Sequence, residues 1–222
     1  MKLRLLDLLV CPIDKTPLQV IEWESIDHHL DNDEIERAKR IGLDPRLFSR
    51  EIITGLLFNP VRKYYYPIYR GVPRLMVFKT GFMNTFLGLY GNRLKEEFPD
   101  FLPAEDRAMP GEEDVLRTFS SEWLSYDWNN KVYWNLTAKE MFKCMRFLID
   151  LENRPVKDQL VLEVGIGIGG IADYMAKHEK CELVGFDLGY SVDVAYKHFS
   201  KQKFLHIVQA SVFSFAIQRG NI

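Results

Sequence analysis

The apolar pattern changes period several times along the chain. Leu3 to Val10 is apolar but interrupted by Asp7, which predicts a short helix or turn leading into Cys11-Pro12. Leu18 to Trp23 predicts a strand. Asp31-Asn32-Asp33-Glu34 puts acids in a first helical turn, and Gly42 supplies a stop, so a helix is expected over Glu34–Ile41. Its charged run reads as a solvated face. A second helical piece is expected from about Pro45 through Arg50 and Ile53 to Gly55. Tyr64 to Tyr69 is aromatic and β-prone, Arg70-Gly71 is a turn, and Val72 to Val77 resumes an extended path. These segments form a small α+β domain over residues 1–80.

Phe82 to Phe98 predicts a helix, and the prolines of Pro99 to Gly111 predict a linker. Helices are expected over Glu112–Trp123 and Leu136–Leu151, the second with Met141, Cys144, Met145, Leu148 and Ile149 on one apolar face. The aromatic run Trp123 to Trp134 reads as core packing ahead of a lid. This helical region covers residues 81–155. From residue 156 a βαβ rhythm begins: strands at Gln159–Val164, Cys181–Phe186 and Phe204–Val208, helices at Ile171–His178 and Ser191–Phe199. Alternation of this length predicts about three parallel strands, and an α/β class for residues 156–222.

Composition narrows the classes. A net charge of -2 gives no basic footprint for nucleic acid. Three cysteines, Cys11, Cys144 and Cys181, are odd in number and far apart, which argues against a disulfide framework and for a reducing cytoplasm. Cys144 and Cys181 read as small buried apolar residues. No apolar run is long enough to span a bilayer. His28-His29 has no accompanying ligand set and reads as solvated surface. His178, His198 and His206 are scattered, and no catalytic base is named.

The candidate chemistry sits in Leu160-Val161-Leu162-Glu163-Val164-Gly165-Ile166-Gly167-Ile168-Gly169-Gly170. A buried strand runs into glycines, which let the main chain press against a ligand, and then into a helix N-terminus. Asp187 ends the next strand, where a carboxylate can accept from both hydroxyls of a ribose. Gly165, Gly167 and Gly170 also fit a dinucleotide turn. Glu163, two residues before the first glycine, would repel a pyrophosphate and suits an amino group. That charge disfavours a nicotinamide or flavin dinucleotide; S-adenosylmethionine is preferred on the resemblance given next, with a purely structural turn as the third option.

From about Gln159 onward the chain resembles the class I S-adenosylmethionine-dependent methyltransferases. The resemblance rests on Glu163-x-Gly165-x-Gly167-x-Gly169 and on Gly185-Phe186-Asp187 followed by a helix containing Ala195. It implies the N-terminal half of a Rossmann-like sheet. In it Gly165, Gly167 and Gly169 shape the methionine pocket and Glu163 holds the amino group. Asp187 holds the ribose with Leu188 beside it, and Ala210, Ser211 and Val212 line the adenine. Ser211 stands where the family commonly has Asp. The implied activity is methyl transfer to an acceptor the residues do not identify. A non-catalytic cofactor- or partner-binding regulator and an NAD-dependent oxidoreductase are the alternatives. The family sheet has seven strands, so the expectation is a fragment of a longer protein whose first strand is an open apolar edge. A protein partner or second copy over that edge is the other solution.

Leu5 to Pro12 and Tyr66 to Met76 give residues 1–80 a second resemblance, to the zinc-ribbon-like activator of tRNA and translation-factor methyltransferases. Relatives often carry Cys-x-x-Cys in each half. Here the corresponding positions are Cys11, Asp14, Asn59 and Arg62, which cannot make a tetrahedral zinc site, so a metal-free domain is expected. That domain is read either as a docking module for its methyltransferase or as a structural cap.

Overall fold

The computed structural model describes residues 1–125, 132–133, 136–214 and 216–218. A short 3-10 turn, Leu3–Asp7, precedes β1 (Gln19–Asp27), α1 (Asn32–Arg40) and α2 (Arg46–Ser49). Then come β2 (Arg50–Phe58), β3 (Tyr64–Tyr69), β4 (Val72–Leu75) and α3 (Gly81–Glu97). β5 (Leu102–Pro103), α4 (Glu112–Leu124), β6 (Val132–Tyr133), β7 (Leu136–Thr137) and α5 (Ala138–Leu148) lead into the βαβ region. This region holds β8 (Leu160–Val164), α6 (Gly170–Tyr174) continued by a π turn Met175–Glu179, β9 (Glu182–Asp187), α7 (Ser191–Phe199) and β10 (Leu205–Ala210).

β1 through β4 form an antiparallel meander. The β3–β4 hairpin turns on Arg70 and Gly71, both at positive φ (50° and 77°), as a two-residue hairpin with right-handed twist requires. β8, β9 and β10 are parallel, joined by helical crossovers. The boundary expected near Lys79 does not divide the sheet. β10 pairs in parallel with β4, Gln209 opposite Arg74 and Ala210 opposite Leu75. One mixed sheet therefore runs β1-β2-β3-β4-β10-β9-β8, with β5 alongside β3. Among the described residues β8 pairs only with β9, so the expected open edge is at β8.

The largest apolar cluster also crosses the boundary. Leu5, Leu8, Leu9, Tyr66, Ile68 and Leu75 pack with Val184, Phe186, Val208 and Ala210. Burial on this scale stabilises at roughly 25 cal/mol per Å² of apolar surface removed from water, so the two halves stabilise one another.

Several expectations are corrected. The helix expected through Arg50 and Ile53 to Gly55 is one turn long and gives way to β2. Ile52, Ile53 and Thr54 are β-branched, and Ile52 and Thr54 pair across to Ser25 and Glu24 of β1. Gly55 is required there, because a Cβ would lie 2.2 Å from the Ile21 carbonyl oxygen. The buried face of α5 is set by Phe142, stacked on Tyr174; Cys144, Leu148 and Ile149 face out, so Cys144 is not a core residue. Arg37 on the "solvated" α1 is buried, donating to the Ala176 and Cys181 carbonyls with its guanidinium over Phe204. His28 is not free surface either: its Nε2 lies 2.6 Å from Oε2 of the buried Glu51. The Trp123–Trp134 cluster falls largely outside the described residues; Trp123 itself borders the cavity below.

Candidate functional site

The C-terminal tips of β8, β9 and β10 open into one cavity of about 550 Å³, a size ordinary for a small-molecule site. Its floor is Val164, Gly165 and Gly167 after β8, Phe186 to Gly189 after β9, and Ala210 to Phe213 after β10. α4 covers it with Glu112, Val115, Phe119 and Trp123. Seven of the nine residues expected from the sequence thus meet here: Gly165, Gly167, Asp187, Leu188, Ala210, Ser211 and Val212.

Gly165, Gly167 and Gly169 all adopt positive φ (81°, 54° and 80°), which explains their spacing. A Cβ at Gly165 would meet nothing within 4 Å, so the main chain there is bare toward the cavity. The loop's amides are largely spent inside the protein. Gly165 and Ile166 N–H donate to the Phe186 carbonyl, Gly169 N–H to the Ile166 carbonyl. Gly167 N–H donates to Asp187 Oδ2 at 2.8 Å, and Gly189 N–H to Asp187 Oδ1 at 2.7 Å. Asp187 is thereby locked in orientation, while each oxygen keeps a lone pair for a further donor.

Two expected residues do not line the cavity. Gly169 opens α6, and a Cβ there would stand 3.0 Å from Ala195 Cβ and 3.2 Å from Phe199, so this glycine serves close packing on α7. Glu163 is partly buried at the tip of β8, and burial pushes its carboxyl up to about 7.

Glu112 is the site residue that the sequence reading missed. It is buried at the start of α4, where it accepts from the Met109 N–H at 2.6 Å and from the Ser211 hydroxyl. An acid therefore stands beside Ser211, brought by an element 99 residues away in sequence. Only an acid in a first helical turn hinted at it, and that pattern is explained by the helix dipole alone. Glu112 and Asp187 are the only charged residues lining the cavity, and no lysine or arginine does so among the described residues.

The four positions aligned with a zinc ribbon converge by hydrogen bonding instead. Asn59 Nδ2 donates to both Asp14 oxygens at 2.9 and 3.0 Å, and Arg62 Nε lies 3.7 Å from Asp14. Asn59 Oδ1 accepts from the Val61 and Arg62 N–H groups, and Cys11 Sγ lies 3.2 Å from the Tyr66 hydroxyl. Burial works against the Asp14 charge, but hydrogen bonds from Thr16, Cys11 and Asn59 hold its carboxyl down to about 2. An amide and a guanidinium at two of four positions do not fit a zinc site.

Residues 2–71 match the Trm112p-like protein family. That match supports the activator-like reading of the N-terminal half, and it ends one residue before β4. No curated protein matches the chain. No helix among the described residues is long and apolar enough to cross a membrane.

Proposed function

We propose that the cavity at the tips of β8, β9 and β10 binds S-adenosylmethionine and that the chain transfers the methyl group to an acceptor at the cavity mouth. The observation that carries this reading is the cavity's electrostatics. Among the described residues the lining holds two carboxylates, four aromatic rings and no cation, which suits a sulfonium and an adenosine. A dinucleotide's pyrophosphate needs free loop amides or a basic side chain, and the loop amides of Gly165, Ile166, Gly167 and Gly169 are already committed. Asp187 would accept from the ribose hydroxyls. Glu112 with Ser211 would face the adenine edge, the carboxylate replacing the acid that Ser211 lacks. Glu163 lies one residue behind the cavity wall and would reach the ligand's amino group through water.

Methyl transfer is an in-line displacement at the sulfonium carbon, so alignment of donor and acceptor supplies much of the rate. The Trm112p-like region would act on this site in cis, since β4, which follows it directly in the chain, pairs with β10. S-adenosylhomocysteine at a hundredfold its Kd should stabilise the fold by about 2.7 kcal/mol, raising the melting temperature by roughly 5–10 °C. Asp187→Ala should lose most of that rise. A melting temperature unmoved by the ligand would refute the reading. Binding without transfer to any acceptor fraction would leave a cofactor-binding regulator.

A further inference from the structure

We propose that Arg74, on β4, is a positioning residue for the Leu188–Tyr190 turn that walls the cavity. Arg74 is 2% exposed, one of the largest fully buried side chains among the described residues, and its guanidinium lies 4.3 Å over the Phe82 ring. A guanidinium presents its donors in a rigid planar fork, so the partners it holds are fixed in orientation. One arm of its fork runs to Asp193 on α7, with Nη1 at 3.1 Å and Nη2 at 2.5 Å from the two carboxylate oxygens. A second arm of contacts runs along the sheet from the same nitrogen: Nη1 also donates to Gln209 Oε1 at 3.1 Å, and Gln209 Nε2 donates onward to the Leu188 carbonyl at 2.9 Å.

The two arms grip both sides of one turn. Leu188 is fixed from β10 through Gln209, and Asp193 sits in the first turn of the helix that begins at Ser191. Between them, Tyr190 N–H donates to the Ser120 hydroxyl on α4, and Gly189 N–H to Asp187. Leu188, Gly189 and Asp187 all line the cavity. Arg74 and Gln209 do not line it, so Arg74 acts on the site only through others. The parallel pairing of Gln209 with Arg74 is what brings the two side chains together, so the seam between the halves and the wall of the site are one hydrogen-bonded unit. Occupancy of that seam thereby sets the geometry of the acid at the end of β9.

Gln209→Glu separates the links. A carboxylate still accepts from Arg74 but cannot donate to the Leu188 carbonyl. Amide hydrogen exchange of the whole chain reads the turn directly and needs no cofactor. In Gln209→Glu the Gly189 and Tyr190 amides should exchange about tenfold faster, as expected for loss of one buried hydrogen bond, while β1 and β2 amides keep their wild-type rates. Arg74→Lys, which keeps the charge and loses the fork, should give the same local pattern and carries the comparison if the first variant does not fold. Unchanged exchange at Gly189 and Tyr190, or acceleration of all amides together, would overturn the proposal. A second arm rests on the proposed function: both variants should weaken S-adenosylhomocysteine binding by about tenfold. If the wild type itself does not bind that ligand, the cofactor reading fails and the exchange result still decides the role of Arg74.

Discussion

Glu163→Gln isolates the least comfortable charge near the site. Burial raises the Glu163 carboxyl from 4.5 to about 7, and among the described residues no hydrogen bond or ion pair supports its charged form. A folded-state value above the unfolded one means that the native protein binds the proton more tightly. Stability is therefore full below the unfolded value and is lost as pH rises through the folded one. The gap is worth up to about 3 kcal/mol at 1.36 kcal/mol for each tenfold step. Glutamine keeps the shape without the charge, so the variant should match wild type near about pH 4 and exceed it by up to about 3 kcal/mol near pH 8. Urea unfolding followed by tryptophan fluorescence across that range reads the difference as a shift in midpoint. A difference that stays flat with pH, or a variant weaker than wild type at high pH, would refute the burial argument. On the proposed function, the ligand's ammonium draws the carboxyl back down, so binding near neutrality should release protons and give buffer-dependent heats.

Two further predictions follow from the packing. Cys144 is exposed, whereas Cys11 and Cys181 are buried and burial pushes the Cys181 thiol up to about 11, so one of the three thiols should react rapidly with an aromatic disulfide reagent under native conditions; rapid reaction of all three would contradict the core assignment. Asn59→Ala should cost about 2–3 kcal/mol by stranding Asp14 and the Val61 and Arg62 amides, read by chemical denaturation, while a chelator should leave the wild-type melting temperature unchanged; a fall of several degrees on chelation would show that a metal holds this corner.

Local chemistry was the legible part of this chain. The Arg70-Gly71 hairpin, the α1 stop at Gly42, the glycine loop and the βαβ spacing each follow from φ preference or periodicity, and the structure places them within a few residues of expectation. What periodicity cannot encode is which strand edges meet. The pairing of β4 with β10, and with it the Arg74–Gln209–Leu188 relay, depends on tertiary contact between residues more than 130 apart. Residues Arg50–Gly55 were misread because a helical start at Pro45 was extended past the β-branched Ile52-Ile53-Thr54. Arg37, His28 and Glu112 were read by type as surface or helix-start residues, although each is held by partners distant in sequence. On α5, Phe142 outweighs the smaller residues expected to face the core, since its ring finds Tyr174 and His178.

On the proposed function, the cavity beneath α4 takes an adenosine sulfonium rather than a pyrophosphate. Calorimetric titration of the intact chain with S-adenosylhomocysteine, run beside NAD, tests it directly. Saturable one-to-one binding of S-adenosylhomocysteine is expected, weakened about tenfold or more by Asp187→Ala, with no heat from NAD. Saturable NAD binding with none for S-adenosylhomocysteine would contradict it.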